Sequence, residues 1–181
     1  MLCKFFESEV HFRQRFWAGR TVIELGAGLG LPSLAAALLG AAEVLITDLA
    51  EALELPRKNI ALNFKDEQAN ISVAALDWND AAKGHTSLPA DWDIIICTDI
   101  LFVPEAIPPL VQTIDVLSGP HTRVLSCCEH RFEEATQFYE MMRAAGFRVD
   151  RVPNEELHEL YRGDAFHVYW FVPSMLQARD T

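Results

Sequence analysis

The sequence predicts an α/β fold with a doubly wound, mostly parallel sheet, on three observations. Short apolar runs alternate with helix-like segments along the whole chain. Runs such as DIIIC at 93–97 are almost continuously hydrophobic, as in strands buried on both faces. A glycine cluster, ELGAGLG at 24–30, follows the first of those runs, at the place where open sheets of this kind bind ligands.

The elements follow in order. Phe5, Phe6, Phe12, Phe16 and Trp17, at near-helical spacing, predict an N-terminal helical segment within 1–20, packed on the sheet. Strands are expected at Thr21 to Leu25, Glu43 to Thr47, Ile71 to Ala75, Trp92 to Thr98 and Thr122 to Cys128, each short, apolar and bounded by polar or turn residues. Helices are expected at Leu31 to Leu39, Glu51 to Asn63, Glu105 to Leu117 and Phe132 to Ala145, with a kink or late start at Pro56 in the second. FRVDRV and AFHVYWFV then form two closing strands without a helix between them, which fits an antiparallel ending. No linker, repeat or low-complexity tract divides the chain, so residues 1–181 read as a single domain.

Composition narrows the function. The chain has 181 residues, is 50% hydrophobic and carries a formal charge of -11. That size and apolar content support a real core, and that charge repels phosphate backbones, so nucleic acid is not expected as a partner. Cys3, Cys97, Cys127 and Cys128 lack CxxC spacing, and the last three, inside apolar strand-like runs, read as small hydrophobes, which points to a reducing compartment, cytoplasmic or nuclear. The N-terminal stretch is too charged to read as a signal peptide, and none is expected there. Leu25 to Ala42 is uncharged and long enough for a membrane span, yet its glycines, Pro32 and Ser33 fit a buried loop and helix better. No membrane partner is expected. The scattered histidines show no metal-ligand spacing, so no metal is expected.

The glycine cluster predicts the site. Gly26, Gly28 and Gly30 follow a strand and precede a helix, but position 31 is Leu31, so the dinucleotide fingerprint is broken. The backbone there can approach a ligand closely, and the following helix N-terminus favours a carboxylate. Each strand beside the loop ends near an acid, Glu24 and Asp48, and Asp48 is placed to read a ribose diol. Asp77 and Trp78 follow the third strand. They could accept a hydrogen bond from an exocyclic amine and cover an aromatic base, or merely cap a turn and fill core. Together these groups describe a nucleoside carrying an amino-acid tail.

With VIELGAGLGLPSLAAALLGA, VLITDLAEALELPRKNIALN, LDWND, DIIICTDILFVPEAIPPLVQTI and CCEHRFEEATQFYEMM, the chain resembles the methyltransferase-16 group of S-adenosylmethionine-dependent protein-lysine methyltransferases, relatives of chaperone-methylating enzymes. The resemblance runs from about Thr21 to Val172. It implies the seven-strand class I methyltransferase fold, Rossmann-like, with the last strand antiparallel. It implies S-adenosyl-L-methionine as cofactor, S-adenosyl-L-homocysteine as product, and a protein substrate, a chaperone among the possibilities, for a chain expected to be monomeric. Gly26, Ala27 and Gly28 would line the methionine part, Asp48 the ribose and Trp78 the adenine, with Thr98 touching the cofactor from the fourth strand. Glu24, Gly30, Leu49 and Asp77 complete the expected cofactor set.

Two departures bear on the acceptor. The group's tryptophan segment upstream of the first strand is matched only at its end, so a missing or truncated lid is expected. The motif D-x-x-Y reads Asp99-Ile-Leu-Phe102, which keeps an aromatic wall without the hydroxyl. Asp99 and Phe102 are the expected catalytic pair. Because a carboxylate ordinarily titrates about six units below a lysine amine, Asp99 is assigned to orientation and not to proton removal, with a turn-capping role as the alternative. His130 and Arg131 are expected on the acceptor side, or in a local pair with Glu133 or Glu134. An arginine or small-molecule acceptor, or a binding module without turnover, remains open at this point.

Overall fold

The computed structural model describes residues 1–8, 11–12, 15–64, 70–129, 134–163 and 165–174. Its seven strands are β1 (Thr21–Leu25), β2 (Glu43–Asp48), β3 (Ile71–Ala75), β4 (Ile94–Thr98), β5 (Arg123–Glu129), β6 (Phe147–Arg151) and β7 (Phe166–Pro173). They form one sheet in the order β3-β2-β1-β4-β5-β7-β6. The first five pair in parallel, whereas β7 runs antiparallel to both β5 and β6, which is the antiparallel ending that the sequence predicts. From β1 the chain steps outward to β2 and β3, then crosses to β4 on the other side. The order therefore reverses between β1 and β4, where such sheets open a crevice at the strand C-termini.

The burial pattern explains the sheet. Ile94, Ile95 and Ile96 are all fully buried, and neighbouring side chains along a strand point to opposite faces. Ile95 and Cys97 join one core cluster with Leu110, Ile114, Phe138 and Phe171, while Ile94 and Ile96 join another with Val22, Val44, Val168 and Trp170. Covering helices are α1 (Leu2–Phe5), α2 (Leu31–Leu38), α3 (Glu54–Asn63), α4 (Trp78–Ala81), α5 (Ile107–Leu117) and α6 (Glu134–Ala144). Cys97, Cys127 and Cys128 are buried free thiols, as hydrophobe-like cysteines should be.

Several boundaries differ from expectation for identifiable reasons. The N-terminal aromatics do pack on the sheet, with Phe12 stacked on Trp17 at 5.4 Å and Phe12 6.0 Å from Trp170. Only Leu2–Phe5 is helical there among the described residues, so a helix across 1–20 is corrected to one turn followed by irregular chain. The second long helix starts late, at Glu54 after a 3-10 turn, which puts Pro56 in the first turn where a missing N–H costs nothing. Pro108 and Pro109 likewise delay α5 to Ile107. Leu25 to Ala42 resolves into the end of β1, the glycine loop, the eight-residue α2 and the turn beyond it. Among the described residues no helix is long and apolar enough to cross a membrane.

Candidate active site

The loop after β1 is held in a conformation that demands glycine, with Gly26, Gly28 and Gly30 at φ of 60°, 54° and 70°. The three differ in surroundings. A Cβ at Gly30 would lie 2.7 Å from Ile46 Cδ1, and at Gly26 it would lie 2.9 Å from Ile100 and 3.1 Å from the Trp78 ring. At Gly28 it would meet nothing within 4 Å. Gly30 therefore serves packing of α2 on β2, Gly26 lets the Trp78 ring approach the loop, and Gly28 faces open space.

Asp48, at the end of β2, holds this loop. Its Oδ2 accepts from the Gly28 amide at 2.7 Å and its Oδ1 from the Leu49 amide at 2.7 Å. The Ala27 amide donates to the Thr47 carbonyl at 3.0 Å, and Asn59 of α3 donates to the Leu29 carbonyl at 2.9 Å. Asn59 is a loop anchor that the sequence reading missed, and only its place in the α3 pattern hinted at it. Leu49 is exposed beside the loop.

Glu24 points the other way. Although expected to line a ligand, it is fully buried, and its carboxylate accepts from the Ser33 amide of α2 at 3.0 Å and from Thr98 Oγ1 at 3.1 Å. Thr47 Oγ1 donates to the Glu24 carbonyl at 2.7 Å. Burial raises the Glu24 pKa to about 7, Asp48 nearby pushes it further, and the Ser33 and Thr98 bonds pull against both. Glu24 thus fastens β1, α2 and β4 beneath the loop, and the Thr98 hydroxyl is spent on it.

Asp77 and Trp78 stand at the end of β3. Asp77 caps α4, its Oδ1 accepting from the Asn79 amide at 2.8 Å and side chain at 3.1 Å, so the capping role weighed from the sequence is present. Both bonds fall on one oxygen. Trp78 is half-buried, packed at the edge of one core cluster with its ring against Gly26. A cleft of about 430 Å³ opens beside them, lined by residues that include Leu49, Glu51, Asp77, His85 and Leu88. The 85–88 stretch was missed as site material because nothing in its residue types marks it.

At the end of β4, Asp99 is exposed and sits at φ 53°, an uncommon left-handed position for a residue with a side chain. Its amide donates to the Cys127 carbonyl at 2.8 Å. It caps no helix among the described residues, since the cap positions of the following turns are Val103 and Ala106. Ile100 and Leu101 are buried at 7% and 6%, whereas Phe102 is 66% exposed. A core role for Phe102 is thereby excluded. His130 and Arg131 lie outside the described residues.

Comparison with known proteins gives the family. The chain is 37% identical over 145 residues to protein N-lysine methyltransferase METTL21A of Xenopus tropicalis, covering 79% of this chain and 63% of that protein. It is 34% identical to EEF1A lysine methyltransferase 3 of Xenopus tropicalis, covering 76% of this chain and 58% of that one. The chain thus spans less than two thirds of the length of either relative. Among solved structures, a TehB-like S-adenosylmethionine-dependent methyltransferase from Corynebacterium glutamicum shares the fold, with a TM-score of 0.66 at 16% identity, over 87% of this chain and 82% of that one. The family profile described as lysine methyltransferase matches residues 1–145, and the chain belongs to that family.

Proposed function

We propose that this protein moves a methyl group from S-adenosyl-L-methionine to the side-chain amine of a lysine in a protein substrate. The observation that carries this reading is the open backbone at Gly28 beside the Asp48 carboxylate, in a chain of the lysine methyltransferase family. The cofactor fits what is there. A carboxylate has about four lone-pair sites, and the Gly28 and Leu49 amides use one on each Asp48 oxygen, which leaves one on each for the two ribose hydroxyls. Gly26, Ala27 and Gly28 would hold the methionine part. Trp78 and Leu49 would flank the adenine, with Asp77 Oδ2 available to its amine.

The bound cofactor would supply a sulfonium methyl, and the protein's task is then aim and desolvation. The acceptor lysine must arrive neutral, which at pH 7 costs about 4 to 5 kcal/mol from its usual pKa. Phe102, exposed past the buried Ile100 and Leu101, offers an apolar wall that disfavours the charged amine. Asp99 would orient the amine, and the proton would leave to water. Glu24 acts only through the backbone it fastens.

The protein substrate we infer is EEF1A, after the name of one relative, or a chaperone, as the sequence resemblance implies, and the acting form is a monomer in the cytoplasm or nucleus. The test is to incubate the protein with methyl-labelled S-adenosylmethionine and a cytosolic extract, then map the labelled residue by mass spectrometry. A methylated lysine is expected. Label on arginine or on a small molecule, or cofactor binding without any transfer, would overturn the reading.

A further inference from the structure

At the other end of the sheet the protein carries a cluster of positive charge that runs against its net charge of -11. Arg123 begins β5, Arg148 lies in β6 and Arg143 lies in the last turn of α6. The antiparallel return of β7 brings Val172 and Pro173 beside them. Together they line a cleft of about 810 Å³ that also takes in Phe147 and Val149. β5 separates this cleft from the candidate active site by about 20 Å, at roughly 3.3 Å per residue.

The arginines are held together despite their repulsion. Arg123 is half-buried, with its guanidinium 4.1 Å from the centre of the Trp170 ring and 5.7 Å from that of Phe16, whose ring also carries Arg20 at 4.0 Å. Burial first, then the charges of Arg20 and Arg148, lowers the Arg123 pKa, and Asp150 alone opposes them. Asp150 is already engaged by Arg148 Nε at 2.8 and 3.0 Å. Among the described residues Arg123 and Arg143 form no ion pair. The Trp170 ring packs against the Arg123 guanidinium, and a planar fork of this kind matches a carboxylate.

We propose that this cleft binds an acidic peptide segment, whose carboxylates take the guanidinium groups of Arg123, Arg143 and Arg148. The shape favours a peptide over a compact ion. The cleft runs on into a second of about 720 Å³, with Pro120, Arg143, Phe147, Pro173 and Ser174 lining both. Asp91 and Asp115 line that second part, so the groove is cationic at one end and acidic at the other. An extended chain with its acids over the arginine end satisfies both. This site stands whatever the acceptor of methyl transfer is.

The test titrates a fluorescein-labelled ten-residue peptide, five glutamates followed by five glutamines, with the full chain and follows anisotropy at low and at physiological ionic strength. Saturable binding that weakens with salt is expected. Arg143→Gln combined with Arg148→Gln, two exposed positions, should weaken it at least tenfold and leave the melting temperature unchanged. Arg57→Gln with Lys58→Gln, on α3 away from the cleft, should leave binding intact. An absence of saturation, equal binding by both double variants, or displacement of the labelled peptide by inorganic phosphate at lower concentration than by the unlabelled peptide would overturn the proposal.

Discussion

The Gly28 amide and the Asp48 carboxylate meet at 2.7 Å, so a side chain at the end of β2 joins the Ala27–Thr47 backbone bond in holding the loop after β1. Asp48 both shapes the loop and presents its remaining lone pairs beside it. Asp48→Ala removes two charged hydrogen bonds inside the protein together with those offered to a ribose. Cofactor affinity should fall by about 1 to 3 kcal/mol, measured by titration calorimetry. Asp48→Asn should lose less, because its carbonyl oxygen can still accept from one amide. Equal affinity of Asp48→Ala and the parent would show that no ligand uses this carboxylate.

Glu24 makes stability depend on pH. Burial raises its pKa from the usual 4.5 to about 7, so between those values the folded protein keeps a proton that the unfolded chain releases. The stability from this group is complete below about 4.5 and is lost as pH rises to about 7. A displacement of this size corresponds to about 3 kcal/mol. Glu24→Gln keeps an oxygen for the Ser33 amide and removes the titration. Urea unfolding should show the parent losing stability relative to the variant from pH 5 to pH 8. Parallel stability profiles over that range would refute it.

The contrast between Glu24 and Asp48 shows where the sequence is legible. Strands such as Ile94–Thr98 were readable because burial on both faces leaves an unbroken apolar run, and Asp48 because it closes such a run at the ligand edge. Glu24 closes a run in the same way, and nothing in its neighbours says that its side chain turns inward to Ser33. The N-terminal aromatics were legible as packing, since apolar residues must be covered, but spacing alone does not separate one helical turn from an irregular chain. The arginine cleft was invisible. Arg143 and Arg148 lie close in sequence, but Arg123 is 20 or more residues before them, and only the β5-β7-β6 order brings it beside them.

The glycines provide a paired test. Gly30→Ala places a methyl 2.7 Å from Ile46 Cδ1 at a left-handed φ, so it should cost about 2 kcal/mol or more of stability through overpacking and strain. Gly28→Ala carries the strain without the clash, and its methyl enters the open space where a ligand would lie. Thermal melting should therefore rank Gly30→Ala as the less stable, and calorimetry should show Gly28→Ala with the weaker cofactor binding once both are folded. The reverse order would place the ligand elsewhere on the loop.

Phe102 tests the acceptor side. With 66% of its surface exposed, truncation removes little buried area, so Phe102→Ala should change stability by no more than about 0.5 kcal/mol. Cofactor affinity should also hold, because Phe102 follows β4 and not the Asp48 edge. Methyl transfer should fall, on the order of tenfold in kcat/KM, which is about 1.4 kcal/mol of lost aim and desolvation of the amine. The parent rate should climb toward pH 9 as neutral lysine becomes more abundant, and the variant should climb more steeply, since it relies more on amine already neutral in solution. Phe102→Tyr should remain active, its ring keeping the wall. Single-turnover transfer to a lysine-bearing substrate, followed across pH, separates these outcomes. Undiminished transfer by Phe102→Ala would move the acceptor wall away from this residue, whereas coupled loss of cofactor binding would make it part of the cofactor site instead.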